Sequence, residues 1–190
     1  IFTEDHAALT GAREVVFLKD LKPEKSWNTT LNFVQKIYMK KGAIIDLDFS
    51  VFTYHFSNKI IPDYETDPNK IIYDNLSGES TSNGLSLNVN LFAQGALRVN
   101  LGATYIETYV DEKGIKTMPL LSERFQGVWK IEKKWIANGL RLDFTGTTIG
   151  TMRLPKLGDL DPRPSYSDPF SILNVQLTKT WNNTIEYYGG

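Results

Sequence analysis

The 190 residues carry 21 basic against 22 acidic side chains, a formal net charge of -1, so no basic field exists to attract nucleic acid or an anionic membrane surface. Cysteine is absent, which excludes disulfides, thiolate metal sites and cysteine nucleophiles. No run of about 18 apolar residues occurs, so a transmembrane helix is excluded; a transmembrane strand needs only about 9 to 11 alternating residues and is compatible with the mean hydropathy of -0.28.

The apolar residues recur with a period close to two, the signature of a strand with two unlike faces. Ile1 to His6 shows neither a basic nor an apolar export region. The first predicted strand, Trp27 to Met39, puts Trp27, Leu31, Phe33 and Ile37 on one face. Next, Ile45, Leu47, Phe49 and Val51 alternate with Asp46, Asp48 and Ser50. Then Leu85, Leu87, Val89 and Leu91 alternate with Ser86, Asn88 and Asn90, and Leu97, Val99, Leu101, Ala103 and Tyr105 face away from Arg98, Asn100, Gly102 and Thr104. Ser122 to Ile136 carries Phe125, Trp129, Ile131 and Trp135 on its apolar face. Leu140, Leu142 and Phe144 alternate with Arg141, Asp143 and Thr145, and Phe170 to Trp181 carries Leu173, Val175, Leu177 and Trp181. Lys133 and Lys179 fall on apolar faces near strand ends, where a long side chain reaches an interface. The end, Tyr187-Tyr188-Gly189-Gly190, reads as the middle of a further strand, which suggests a fragment.

The connections alternate as well. Short turns are expected at Lys40-Lys41-Gly42, Ala93-Gln94-Gly95, Ala137-Asn138-Gly139 and Asn182-Asn183, with the glycine and asparagine chemistry of hairpins. Long polar connections separate them: Pro62 to Glu79, Asp111 to Leu121 and Arg153 to Asp168. Short turns at one rim and long loops at the other define an up-and-down outer-membrane β-barrel, with short periplasmic turns and long extracellular loops. The fold class expected is therefore all-β, an antiparallel up-and-down transmembrane barrel, present in part. The rival is a soluble β-rich carbohydrate-binding or adhesion module, whose apolar faces would meet each other. Against it stands the other face of nearly every strand, built of Asp, Asn, Arg, Ser and Thr, a set unsuited to an exterior made of lipid and suited to a lumen.

That lumen-facing set is Asp46, Asp48, Asn88, Asn90, Arg98, Asn100, Arg141 and Asp143. Two roles fit it: a scaffold network in which the groups satisfy one another, or docking of a domain inside the barrel. Long loops on a rigid scaffold carry recognition, and there the candidate ligand-binding residues are Asp63, Tyr64, Asp67, Tyr73, Arg153, Arg163 and Tyr166. The same residues also suit plain loop ordering, with prolines at 155, 162, 164 and 169 stiffening the backbone. Asp63, Glu65 and Asp67 alternate as calcium ligands do, but Pro68 stands where the calcium loop needs glycine, so a solvated acidic loop is expected and no metal. The two histidines, His6 and His55, make no metal-spaced pair, and no nucleophile elbow or phosphate loop occurs, so neither an enzyme nor a cofactor is expected. Asn28-Thr29-Thr30 and Asn182-Asn183-Thr184 match the glycosylation pattern by chance.

Several segments resemble the C-terminal barrel part of TonB-dependent outer-membrane receptors of the Bacteroidetes type. They include 21–28 (LKPEKSWN), 56–64 (FSNKIIPDY), 67–73 (DPNKIIY), 150–155 (GTMRLP), 161–167 (DPRPSYS), 174–179 (NVQLTK) and 186–190 (EYYGG), so the likeness runs from about Lys19 to the end. The resemblance implies that residues 1–190 are part of a plugged barrel of about 22 strands, with the plug domain absent. It further implies an outer-membrane location, energy-coupled uptake of a scarce solute such as a siderophore, a cobalamin or a glycan, and four kinds of partner. These are outer-membrane lipid, the plug domain, the remaining barrel strands and, through a missing N-terminal part, the TonB energy-coupling complex; nucleic acid is not among them.

Overall fold

The structure is a computed structural model that describes residues 13–190 apart from 19, 65, 68, 113, 157–161 and 183, and not the side chain of Lys41. Readings made above on His6, Glu65, Pro68, Asp161 and Asn183 therefore lie outside the described residues. The described residues form twelve strands in order: β1 (Glu14–Phe17), β2 (Lys25–Tyr38), β3 (Ile44–Ser57), β4 (Ile60–Asp63), β5 (Lys70–Asn75), β6 (Glu79–Ala93), β7 (Leu97–Glu112), β8 (Ile115–Thr117), β9 (Phe125–Trp135), β10 (Leu140–Ile149), β11 (Phe170–Trp181) and β12 (Ile185–Gly189). One antiparallel sheet of nine strands takes them in the order β2-β3-β6-β7-β9-β10-β11-β12, with β8 folded back on β7. Strands of 14 to 16 residues at β2, β3, β6 and β7 exceed the usual five or six of soluble sheets and match a tilted membrane crossing.

The register carries the alternation across the whole sheet. Ile37, Ile45, Leu91, Val99, Ile131, Phe144 and Val175 are successive cross-strand partners in one row, and the adjacent row runs through Leu47, Val89, Leu101 and Trp129 to Leu173 by way of Gly146. This face is bare: Leu31 is 75% exposed and Leu173 58%, and among the described residues the only buried hydrophobics are Leu76 and Val110. A soluble module would bury these rows against a second layer. The nine-stranded sheet instead turns them outward, and aromatic side chains, Trp27 at one rim and Trp135 and Trp181 at the other, flank the apolar band as interfacial residues do.

The short turns lie where expected, with 3-10 turns at Lys40–Gly42 and Ile136–Asn138 and a turn between Ala93 and Leu97. Gly139 is required twice over: its φ is +58°, and a Cβ there would stand 2.4 Å from the Thr180 carbonyl oxygen, held close because the Thr180 N–H donates to the Gly139 carbonyl at 2.7 Å. Lys133 and Lys179, the charges on the apolar face, bend to this rim and donate to the carbonyls of Gly95 and Asn138, which satisfies turn acceptors and removes the ammonium groups from lipid.

The long connections are more ordered than plain loops. The segment from Pro62 to Glu79 contains the end of β4 and all of β5, and β5 pairs antiparallel with β4 and parallel with β1 in a separate three-stranded sheet. Pro62, which lacks a donor, sits on the edge strand β4, where proline is tolerated. Between Asp111 and Leu121 the chain continues β7 to Glu112 and turns into β8. Close approach fixes Gly146: an added Cβ would lie 2.2 Å from Trp129 Cζ2, because the indole covers the glycine across the strand pair. Replacing Gly146→Val is expected to destabilise the barrel by about 2 kcal/mol through overpacking, read as a lower urea midpoint for loss of the compact band on unheated gels. Gly189→Ala, with nothing within 4 Å of the new methyl, is expected to leave that midpoint unchanged.

Candidate functional site

The inner face of the sheet holds the charged set as a connected ladder. Lys36, Asp46, Asn90, Asn100, Lys130 and Thr145 are successive register partners, and Arg98, Glu132, Asp143 and Gln176 form the next row. Asn100 Nδ2 donates to Asn90 Oδ1 at 2.6 Å, and Lys36 Nζ lies 3.5 Å from Asp46. Asp48 stands opposite Asn88. Around Glu132 the charges converge: Arg98 at 3.9 Å, Lys130 at 3.7 Å and Lys134 at 3.4 Å, while Lys130 also reaches Asp143 at 3.5 Å, and Arg141 Nε reaches it at 2.9 Å.

Glu132 is the most deeply placed of these charges, 7% exposed; Arg98 and Lys134 approach its Oε1, which has no aligned hydrogen bond, and Lys130 approaches its Oε2. The eight residues read from alternation all lie on this face, but Glu132, Lys130 and Lys134 were missed. Their signal was present, since they occupy the even positions of β9 between Trp129, Ile131 and Trp135. A recess of about 580 Å³ opens over this region, lined by Lys130, Glu132, Arg141, Asp143, Asn174 and Gln176 among others.

The loop candidates fall into two groups on different connections. In the first, Asp63 accepts from the backbone N–H and the hydroxyl of Thr66, and Asp67 accepts from Asn69 N–H at 2.9 Å, so both carboxylates hold their own turns. Tyr73 stacks on Phe17 across the β1–β5 pair with ring centres 5.7 Å apart. Tyr64 accepts Arg13 Nη1 at its carbonyl, 3.4 Å away. Its phenol is pushed above the ordinary tyrosine range by burial and by neighbouring Tyr73, against the opposing pull of Arg13, so Tyr64 stays a neutral donor throughout the physiological range. Asn75, not foreseen, ties the group down: it accepts from Lys22 N–H at 2.6 Å and donates to the carbonyls of Lys22 and Asn58.

In the second group Arg153 bridges Tyr166 and Leu120, and its guanidinium donates to the Met118 carbonyl at 3.1 Å. Arg163 donates to the Pro155 carbonyl at 3.3 Å, and Tyr166 is half exposed. Most of these side chains order their loops; Tyr166 and the Phe17–Tyr73 stack present ring surface outward.

The converging cations make Glu132 the keystone of the inner ladder. Glu132→Gln takes the carboxylate from Arg98 and Lys134 and leaves Lys130 and Arg141 to Asp143, and is expected to lower barrel stability by about 1 kcal/mol at low salt, the half-exposed cations limiting the loss. The loss should shrink in about 1 M salt, where the Debye length falls to about 3 Å. Equal urea midpoints for parent and variant at both ionic strengths would show that the ladder does not depend on this carboxylate.

No curated protein sequence matches the chain. Among solved structures it is similar to the FrpB iron transporter from Neisseria meningitidis (F3-3 variant), with a TM-score of 0.56 and 12% identity over 88% of this chain and 25% of that one. The chain thus spans about a quarter of that transporter's length, and the likeness is one of fold. The family model described as TonB dependent receptor-like, beta-barrel, matches residues 6–189. That match, together with a nine-stranded sheet whose apolar side is left bare by the described residues, replaces the soluble-module reading with a bacterial outer-membrane location. The chain belongs to the β-barrel family of TonB-dependent receptors.

Proposed function

We propose that this chain forms part of the wall and outer loops of a receptor that captures a scarce solute at the cell surface and passes it inward past a plug domain, with energy supplied through TonB. The observation that carries this reading is the family match over 6–189 on a sheet with one lipid-facing and one charged face. The inner ladder around Glu132 offers the plug a surface of mixed charge, and the edges at β2 and β12 are where further strands of the barrel would pair. A siderophore, a cobalamin and a glycan are all solutes of the required kind, and the fold-level neighbour is named as an iron transporter.

Capture is assigned to the outer loops, with Tyr166 and the Phe17–Tyr73 stack as the aromatic anchors and Asp63, Tyr64, Asp67, Arg153 and Arg163 shaping the loops that present them. In cells making the full-length receptor, Tyr166→Ala is expected to weaken surface binding of the transported solute about tenfold, the loss of one aromatic anchor, while the amount of folded barrel is unchanged. Deleting TonB should abolish accumulation but leave surface binding intact. Accumulation that continues at the parental rate without TonB would instead identify a passive pore.

A further inference from the structure

The lumen face of β3 changes character halfway along the strand. Near the short turn it carries Asp46 and Asp48; beyond them its positions are Ser50, Phe52, Tyr54 and Phe56, so three aromatic side chains follow at alternate residues toward the long-loop rim. Each stands opposite a small residue of β6: Gly84, Ser82 and Ser80 respectively. That pairing lets the rings lie down. A Cβ on Gly84 would overlap the Phe52 ring, which therefore rests on the glycine backbone, and Ser82 and Ser80 are 6% and 0% exposed. Tyr54 overlaps Phe52 with 5.1 Å between ring centres and 22° between planes, so the pair turns ring faces, not edges, to the lumen. Phe56 closes the upper end: Lys59 Nζ stands 5.0 Å over its ring and donates to Ser80 Oγ at 3.3 Å. The surroundings differ from the charged inner face elsewhere. In the register rows that cross β2, β3, β6 and β7 at this height, from Asn32–Ser50–Ser86–Thr104 to Ser26–Phe56–Ser80–Val110, no side chain carries a charge. On the β2 side the rings are bordered by their exposed register partners Thr30, Asn28 and Ser26.

We propose that Phe52 and Tyr54 form a stacking track on the lumen wall for the sugar rings of a neutral glycan moving inward from the outer loops. The proposal rests on the capture reading above and narrows its solute. A pyranose has an apolar C–H face and a rim of hydroxyls. Ring faces bordered by a column of hydroxyl and amide groups meet both, the rings by dispersion and Thr30, Asn28 and Ser26 by hydrogen bonds. Charge and shape weigh against the rival solutes. An anionic ferric chelate is held by cations at short range, and these rows hold none below Lys59. A cobalamin carries axial ligands on both faces of its ring, which keeps those faces from lying on an aromatic plane.

The test titrates the purified full-length receptor in detergent with maltohexaose, cellohexaose, xylohexaose and laminarihexaose by calorimetry, alongside a ferric tris-catecholate and cyanocobalamin. At least one neutral hexasaccharide is expected to bind, and Tyr54→Leu to weaken it about tenfold, the loss of one stacked ring. Tyr54→Phe keeps the ring and is expected to stay within about twofold of the parent. Leucine preserves an apolar cover over Ser82, and Phe52→Leu gives a second reading should the first variant fold poorly, folding being read from the compact band on unheated gels. Equal sugar affinity in the parent and both leucine variants would overturn the track, and so would the failure of every hexasaccharide to bind. Binding of the chelate or of cyanocobalamin that weakens in the same variants, with no such loss for a sugar, would assign the rings to that solute instead. These titrations need no TonB. Ring-dependent sugar binding in a receptor whose uptake persists without TonB would leave the track standing and remove the transport reading, whereas TonB-dependent uptake with no sugar binding would remove the track alone.

Discussion

Every backbone N–H and C=O that faces hydrocarbon must find a partner inside the protein, because lipid offers none. The continuous antiparallel ladder from β2 to β12 is how this chain meets that constraint, and most of its other features follow. Once all backbone groups point along the sheet, side chains can only point to its two faces. One face must then be apolar and the other is free to carry charge. The charges that break the outer rows, Lys133 and Lys179, sit within reach of turn carbonyls.

The inner face uses the freedom unevenly. Toward β2 and β3 the charges are Lys36, Asp46 and Asp48; toward β7, β9 and β10 they are Arg98, Lys130, Lys134 and Arg141 against Glu132 and Asp143. Half-exposed pairs of this kind add little stability singly. Their joint effect is to leave the β9–β10 region with more cations than anions around a carboxylate that is nearly covered, which sets the character of the surface offered to whatever occupies the lumen.

Much of this was legible because a strand's side-chain period is two and the chain keeps it for a dozen residues at a time. The rows of Leu85 to Leu91 and Leu97 to Tyr105 and the polar rows opposite them were readable from that period, and the turns at Gly42, Gly95 and Gly139 from their glycines. The same period held Glu132, but its neighbours Lys133 and Lys134 blur the alternation, and only pairing with Arg98 and Asp143 reveals its position. The small sheet was not legible. Val15, Val16 and Phe17 form a short apolar run with no alternation, and its partner β5 lies more than fifty residues away, a pairing that local pattern does not encode. The loop candidates were located correctly on their connections, yet Asp63 and Asp67 serve their own turns, an outcome decided by turn chemistry that also explains why aspartate is common there.

That small sheet owes its existence to the membrane wall. A parallel pair needs a long crossover, and here the crossover between β1 and β5 is the β2–β3 hairpin, which passes through the bilayer and back. Register from Lys25↔Ser57 to Tyr38↔Ile44 brings the chain entering β2 and the chain leaving β3 side by side at the outer rim. Glu24 then accepts the Ile60 N–H at 2.7 Å, and Asn75 clasps Lys22 and Asn58. Four residues of parallel ladder would be marginal alone. Held by the hairpin below and by the Phe17–Tyr73 stack within, they join two separate outer connections into one platform, so the position of the stacked rings is set by strand register inside the membrane and not by the loops themselves.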